Sequence, residues 1–513
     1  MPILTSYPVP FLECIAAELN GLPASSRTAW QDLIEHGLTA GKLTLPKGYH
    51  SRLAELAQAV GGAELRNRSD RWLATIPQLP VLPWQDYQQL TGEYPGMGTD
   101  YQLLPPGVNV VRALLLARTS LDAENLATGV ERLATWAAQT IKGRGLRSTT
   151  LFSAAIRTLS LLSSAEEGGA ALSRLRGAIT RASFRKKLDK ELVDVSERLG
   201  VSVEDLVERG IEDHGLRDGI AERRVGKYIA RVAVVEPGKS TLTWRKPDGK
   251  IQRSVPAAVK VDHPDLLADL KTSRKQLDKA TSTQAARIER LYLTKRVWPL
   301  SAFAKTYLAH GLLGHLARSL VWWIMPAKRP EHKRSAVYSQ GRWQTANGTP
   351  LQPEADSTVR LWHPAGIDPA ETAAWSRWLD STGTVQPFSQ VRRTVYAPNA
   401  TEIQRRACLS LLGHSAQQSR LRTRCLASGW QMQMFGGFDG GDANPITLAL
   451  TDFQLVARLN ARAPDDVEHN AIAKQVIAGE LSWLDEASQP VQLPDVAARV
   501  YSEVVRSAIG LFS

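Results

Sequence analysis

The sequence predicts an α+β protein, with a helical-repeat-like α-helical N-terminal half followed by a mixed α+β domain, and three observations carry that reading. Apolar residues recur at helical spacing from Pro105 to about Leu199. Beyond residue 228 that period gives way to short β-branched runs separated by turn residues. The chain of 513 residues, 43% hydrophobic and 22% charged, is too long for one core and too apolar for disorder, so two or three domains are expected.

Residues 1–104 form the first expected region, part helical and part extended. Trp30, Leu33, Ile34 and Leu38 share one helical face, and Leu53, Leu56, Ala57 and Val60 share another. Pro77, Pro80 and Pro83 exclude a regular helix over 76–83, which reads as an extended connection. Residues 105–199 read as antiparallel, HEAT-like helices. Their faces are Val108, Val111, Leu114 and Leu115, then Leu126, Val130 and Leu133, then Leu151, Ala155 and Leu159, then Leu172 and Leu175. The turn Lys142-Gly143-Arg144-Gly145 separates the second and third helices. No strict sequence repeat underlies them.

Residues 200–513 form the third region. Strands are expected at 229–235, 240–245 and 250–255, with Pro247-Asp248-Gly249 as the turn between the last two. A basic helix follows from about Pro264 to Arg296, and a second is expected over 300–323 with Leu308, Leu312, Leu316 and Leu320 on one face. Further strands are expected near 342–345, 359–362, 430–438, 447–450 and 455–459. A last helix should run from Pro494 to Ile509.

The net charge is +12, and the excess is uneven. Residues 171–300 hold 28 Lys+Arg against 18 Asp+Glu, whereas the tail from residue 460 holds four against eight. A basic middle either meets nucleic acid or an acidic partner, or simply solvates the surface. Cys14, Cys408 and Cys425 are widely spaced and odd in number, so reduced thiols and a cytoplasmic location are expected. The N-terminus lacks a basic leader with an apolar run, and 312–325 is interrupted by His315 and Arg318, so no membrane contact is expected.

The stretch Ala233 to Ser240 fits a loose phosphate-loop pattern, with Lys239 and Ser240 in place. A strand pattern follows it where a phosphate loop needs a helix, so a β-turn is the better reading. Phe435 to Asp442 offers four glycines and two aspartates and reads as a bend between strands ahead of a metal or phosphate loop. His310 and His315 are five apart and do not share a helix face. No complete catalytic motif, cofactor site or metal site is found, and the histidines read first as structural. The catalytic alternative gathers His363, His414, Asp439 and Arg393 into one site. The stronger functional signal is basic and aromatic: Lys328, Arg329, Lys333 and Arg334 beside Trp322, Trp323 and Trp343, and Arg420, Arg422 and Arg424 on a helical segment.

A series of separated motifs in fixed order carries a family resemblance. They are Val201 to Gly219, Gln284 to Trp298, His310 with Leu320-Val321-Trp322, His363-Pro364 with Trp375, Gln386 to Tyr396 (QPFSQVRRTVY), His414, Gly429-Trp430 and Phe438-Asp439-Gly440. Over roughly 105–512 the chain resembles the bacterial MolR-like family, domain of unknown function 4132. Some members carry a WGR nucleic-acid module in front, of which this sequence shows no clear counterpart, and many continue past the helix expected at 494–509. The resemblance implies a regulatory, stress or defence setting and a protein partner, with an ATPase encoded nearby as a candidate. It supplies no chemistry.

Overall fold

The computed structural model describes residues 9–40, 48–91, 102–121, 125–143, 145–179, 181–436, 443–465 and 471–513. The chain divides into two compact units, the first ending at Glu212 and the second beginning at Asp213. The first unit is helical and the second mixes helices with several small antiparallel sheets.

The first unit runs through α1 (Pro10–Asn20), α2 (Ala24–Leu38), α3 (Tyr49–Val60), α4 (Gly62–Thr75), α5 (Trp84–Thr91), α6 (Leu104–Leu121) and α7 (Leu126–Ala137). A two-residue ribbon of β1 (Thr140–Ile141) and β2 (Gly145–Leu146) leads to α8 (Thr149–Leu161), α9 (Ala165–Ala178), α10 (Ala182–Leu199) and α11 (Val203–Arg209). Helix α6 is buried almost all round, through Val108, Val110, Val111, Ala113, Leu114, Leu115 and Leu116. A helix apolar on every side belongs at the centre, and α2, α3, α4 and α8 pack on it. The fully buried Arg118 of α6 donates to Ser69 Oγ at 2.9 Å and to Asp70 Oδ1 at 2.6 Å on α4, which accounts for a charge inside that core. From α7 to α11 each helix packs on its sequence neighbour or the next one on, the order expected of a helical stack. Gly168 keeps α9 close to α8, since a Cβ there would lie 2.1 Å from the Leu159 carbonyl oxygen.

The second unit opens with a four-stranded sheet in sequence order: β3 (Ile220–Val225), β4 (Tyr228–Glu236), β5 (Lys239–Arg245) and β6 (Ile251–Gln252). Helices α12 (Ala257–Asp262) and α13 (Pro264–Arg290) follow, and α13 packs on β4 and β5. A six-stranded sheet in the order β11–β10–β9–β8–β12–β7 comes next. Its strands are β7 (Trp298–Pro299), β8 (Trp322–Met325), β9 (Arg334–Ser339), β10 (Arg342–Gln344), β11 (Pro350–Leu351) and β12 (Thr358–Leu361). Helices α14 (Leu300–Phe303) and α15 (Gly311–Ala317) lie between β7 and β8.

The continuous helix expected over 300–323 is therefore broken. A π-turn spans Ala304–Leu308, and the His310 imidazole caps α15 through the N–H groups of Leu312 and Leu313. Trp322–Met325 then forms strand, because its bulky side chains suit a pleat buried on both faces. Neighbouring residues of β8 point to opposite faces. Trp322 meets Trp298, Phe303 and Tyr307, whereas Trp323 belongs to the cluster of Trp362, Trp375 and Trp378. The last two come from α16 (Pro369–Thr382), which has Asp368 as its N-cap, Pro369 in the first turn and Gly383 at its end with φ of 63°.

The chain continues through α17 (Ala400–Arg405) into a second four-stranded sheet, β13–β16–β15–β14, with α18 (Gln418–Ser428) inserted after its first strand. The strands are β13 (Ser415–Gln417), β14 (Ala443–Leu450), β15 (Leu455–Arg462) and β16 (Gln475–Leu484). In place of the strand expected over 430–438, the described residues hold single bridges at Gln431 and Gly436. The last helix, α19 (Ala498–Phe512), buries Val500, Tyr501, Val504, Val505, Ala508 and Leu511 in the core of this sheet.

Candidate functional site

Two features of the second unit bear on function: a buried ionic cluster and a set of exposed cations. The cluster forms where α19, the end of β12, the segment after α16 and the end of α13 meet. Glu503 lies on the buried face of α19, which is otherwise largely apolar. Its carboxylate accepts from Arg393 Nε at 2.6 Å, from a second Arg393 nitrogen, and from His363 Nε2 at 2.8 Å. Arg393 also donates to Glu289 Oε1 at 2.7 Å and to the Ser389 carbonyl at 2.9 Å, and its guanidinium lies 5.0 Å above the Tyr292 ring. The Tyr292 ring in turn meets His363 edge to face at 4.7 Å.

The bonds assign the His363 tautomer. Nδ1 accepts from the Ala365 N–H at 2.9 Å, so the ring proton sits on Nε2 and is donated to Glu503. Burial lowers the His363 pKa, the Glu503 carboxylate raises it in part, and Arg393 and Arg499 lower it again. Burial alone would raise the Glu503 carboxyl, but the hydrogen bonds and charges of Arg393 and His363 outweigh it and hold it down to about 2. Both ring nitrogens and both carboxylate oxygens are thus engaged by the chain itself, and the arrangement ties α19 to β12 and to residues 389–393.

A pH dependence follows. The folded His363 resists protonation, so below its ordinary value of 6.5 the unfolded chain takes up a proton that the folded one does not. The ionised Glu503 adds stability above its ordinary 4.5, and that contribution is lost toward a pH of about 2. Thermal stability should therefore fall in two stages on acidification, and His363→Gln should reduce the first, to which the half-buried His315 also contributes. Calorimetric scans of both proteins from about pH 8 downward check this.

Of the four residues considered for catalysis, the fold brings His363 and Arg393 together. His414 lies outside that cluster, exposed in the turn before β13, and is joined to it by no hydrogen bond or ion pair among the described residues. Asp439, like most of the 435–442 glycine stretch, lies outside the described residues. The 233–240 stretch is a β-hairpin with Gly238 at φ of 85°. The Gly238 N–H is taken by Thr281 Oγ1 at 3.0 Å, and Lys239 pairs with Glu236 at 3.0 Å.

Lys328 and Arg329 lie in the turn after β8, and Lys333 and Arg334 lead into β9; all four are exposed and have no acidic partner among the described residues. Lys333 Nζ sits 4.7 Å above the Trp323 ring, and Lys333, Arg334 and Trp323 line a cleft of about 600 Å³ with Ser335, Glu371 and Trp375. At its floor Ser335 Oγ donates to Glu371 Oε1 at 2.5 Å and accepts from Trp375 Nε1 at 3.0 Å. The arginines of α18 do not form one stripe, since residues two apart diverge on a helix. Arg420 is exposed, Arg422 reaches Met434 Sδ at 3.8 Å, and Arg424 donates to the Leu511 carbonyl at 2.9 Å, one of the orphan acceptors at the end of α19.

Sequence reasoning missed Glu503, which sits in an acidic tail with nothing local to mark it. It also missed the cations of the β3–β6 sheet, although their signal was present. Residues 220–260 hold ten Lys+Arg against three Asp+Glu.

Comparison with known proteins supports the domain resemblance over part of the span of those motifs. A family model described as a domain of unknown function, DUF4132, matches residues 249–430. An uncharacterized protein of Escherichia coli (strain K12), YehI, is 25% identical over 238 residues, which cover 44% of this chain. The match takes in 19% of that relative, so the chain spans about a fifth of its length. No solved structure matches this chain. The second unit thus carries, from the β5–β6 turn to Trp430, a segment similar to a domain of unknown function, DUF4132.

Proposed function

We propose that this chain is a non-enzymatic interaction protein whose second unit meets nucleic acid or an acidic partner through uncompensated positive charge. The observation that carries the reading is the pairing of its ionic groups. His363, Arg393 and Glu503 are bound to one another inside the fold, whereas Lys328, Arg329, Lys333, Arg334 and Arg420 face solvent and form no ion pair among the described residues, although Glu331, Asp368 and Glu371 share the cleft of Lys333 and Arg334. Exposed cations left unneutralised raise the local potential and attract polyanions over about a Debye length. A protein of this kind would serve a regulatory, stress or defence system by holding partners together.

Fluorescence anisotropy with labelled DNA and RNA tests it. Binding is expected at about 50 mM salt, with affinity falling at least tenfold by about 200 mM. Absence of binding at the lower salt, together with nuclease-treated purifications that recover no acidic partner, overturns the reading.

A further inference from the structure

The β3–β6 sheet carries an inference that rests on this reading and narrows it. Its two outer hairpins turn at the same end: the β3–β4 turn holds Gly226 and Lys227, and the β5–β6 turn runs through residues 246–250. Between them and the segment leading to α12 lies a cleft of about 460 Å³, lined by Lys227, Tyr228, Lys246, Asp248, Gln252 and Ser254, among others. The ladder pairs Ile229 with Arg245, so Tyr228 and Lys246 come next along the two neighbouring strands. Tyr228 is half-buried, and Lys227 Nζ lies 5.9 Å from its ring.

The charge around this cleft is predominantly positive, with Asp248 as the acid in its lining. Each of the three acids in 220–260 already faces a cation: Glu222 with Arg245 at 3.3 Å, Glu236 with Lys239 at 3.0 Å, and Asp248 with Lys250 at 4.0 Å. Lys227 and Lys246 in the cleft, and Arg223, Arg224, Arg253 and Lys260 within a few residues of its lining in sequence, form no ion pair among the described residues. Lysines at a half-buried aromatic ring, in a cleft of this size, suit one phosphate and one unstacked base. A duplex keeps its bases stacked inside and offers none to such a ring. An acidic peptide would use the lysines and gain little from the tyrosine.

We infer that this cleft binds single-stranded nucleic acid, with Lys227 and Lys246 contacting phosphate and Tyr228 serving as the platform for a base. The flanking cations keep the strand over positive potential as it leaves the cleft.

The test uses the full chain and a labelled oligothymidylate of about 20 nucleotides, with heparin as a polyanion without bases and polyglutamate as an acidic polypeptide. The double variant Lys227→Ala/Lys246→Ala should weaken oligonucleotide binding roughly tenfold and reduce the slope of log affinity against log salt by about 1.4, from two phosphate contacts at about 0.7 each. Tyr228→Leu should weaken the oligonucleotide by roughly tenfold and leave heparin unchanged. The control Lys328→Ala/Arg329→Ala should leave the Tyr228 effect intact. If the oligonucleotide binds but its affinity and salt slope ignore both cleft variants, the site assignment fails and the broader interaction reading stands. If polyglutamate competes as well as the oligonucleotide and Tyr228→Leu has no effect, the nucleic-acid assignment fails. If the wild-type chain binds none of the three probes, the site assignment falls, and the broader reading falls with it once nuclease-treated purifications recover no acidic partner.

Discussion

Glu503→Gln should lower the stability of residues 213–513 by about 3 kcal/mol, because it leaves Arg393 buried without its two-pronged partner. The amide keeps the shape but loses the charge, and its NH2 group opposes an arginine donor. Arg393 would retain Glu289, whose side chain is 37% exposed and therefore a weaker counter-charge. Arg393→Met should cost a similar amount, by leaving the Glu503 carboxylate in apolar surroundings. The double variant Arg393→Met/Glu503→Gln removes both charges and should lose much less than the sum of the two, since the amide oxygen can still accept from His363 Nε2. Urea unfolding of the four proteins measures the coupling, and hydrogen exchange should show α19 opening first in the single variants. Additive single effects would mean that the three side chains do not act as one ionic unit.

The sequence made the α+β class legible because helical periodicity up to Leu199 and β-branched runs from Ile229 are local signals. Its failures came where long-range pairing decides the structure. Leu308, Leu312, Leu316 and Leu320 keep helical spacing, yet the chain breaks at His310, and Trp322 enters a strand because β9 and β12 are there to pair with it. The ionic cluster was half legible. His363 and Arg393 stood in recognisable motifs, but their common partner Glu503 is 110 residues beyond Arg393, and α19 gives a sequence reader only an amphipathic helix with one acid on its buried side. The charge excess of 171–300 was visible as a number. Which cations lack an acid emerges only from the fold, since Arg245 and Glu222 are 23 residues apart and meet across β4.

The QPFSQ stretch is the place where sequence and fold speak most directly to each other, and Gln390→Leu is expected to cost about 3 kcal/mol. Gln390 is wholly buried and uses its full hydrogen-bonding capacity. Its Oε1 accepts from the Val321 N–H at 2.8 Å and from Gln386 Nε2 at 2.9 Å; its Nε2 donates to the carbonyls of Val321 at 2.8 Å and Trp362 at 2.9 Å. One side chain thereby joins the entry to β8 with the exit from β12, next to His363. Leucine would fill the space while leaving the Val321 N–H and the Trp362 carbonyl without these partners, and that desolvation sets the size of the loss. Gln390→Glu separates hydrogen bonding from shape more sharply. Ionised, it turns an oxygen toward two carbonyl oxygens and should be worse than leucine at neutral pH; protonated, it regains one donor. A carboxyl held in that apolar site has its pKa raised, so the variant should recover stability as the pH falls toward about 5. The wild-type chain loses stability over the same interval through His363. Opposite slopes of melting temperature against pH in the two proteins would identify Gln390 as a donor to backbone carbonyls, and parallel slopes would reduce it to a space-filling side chain.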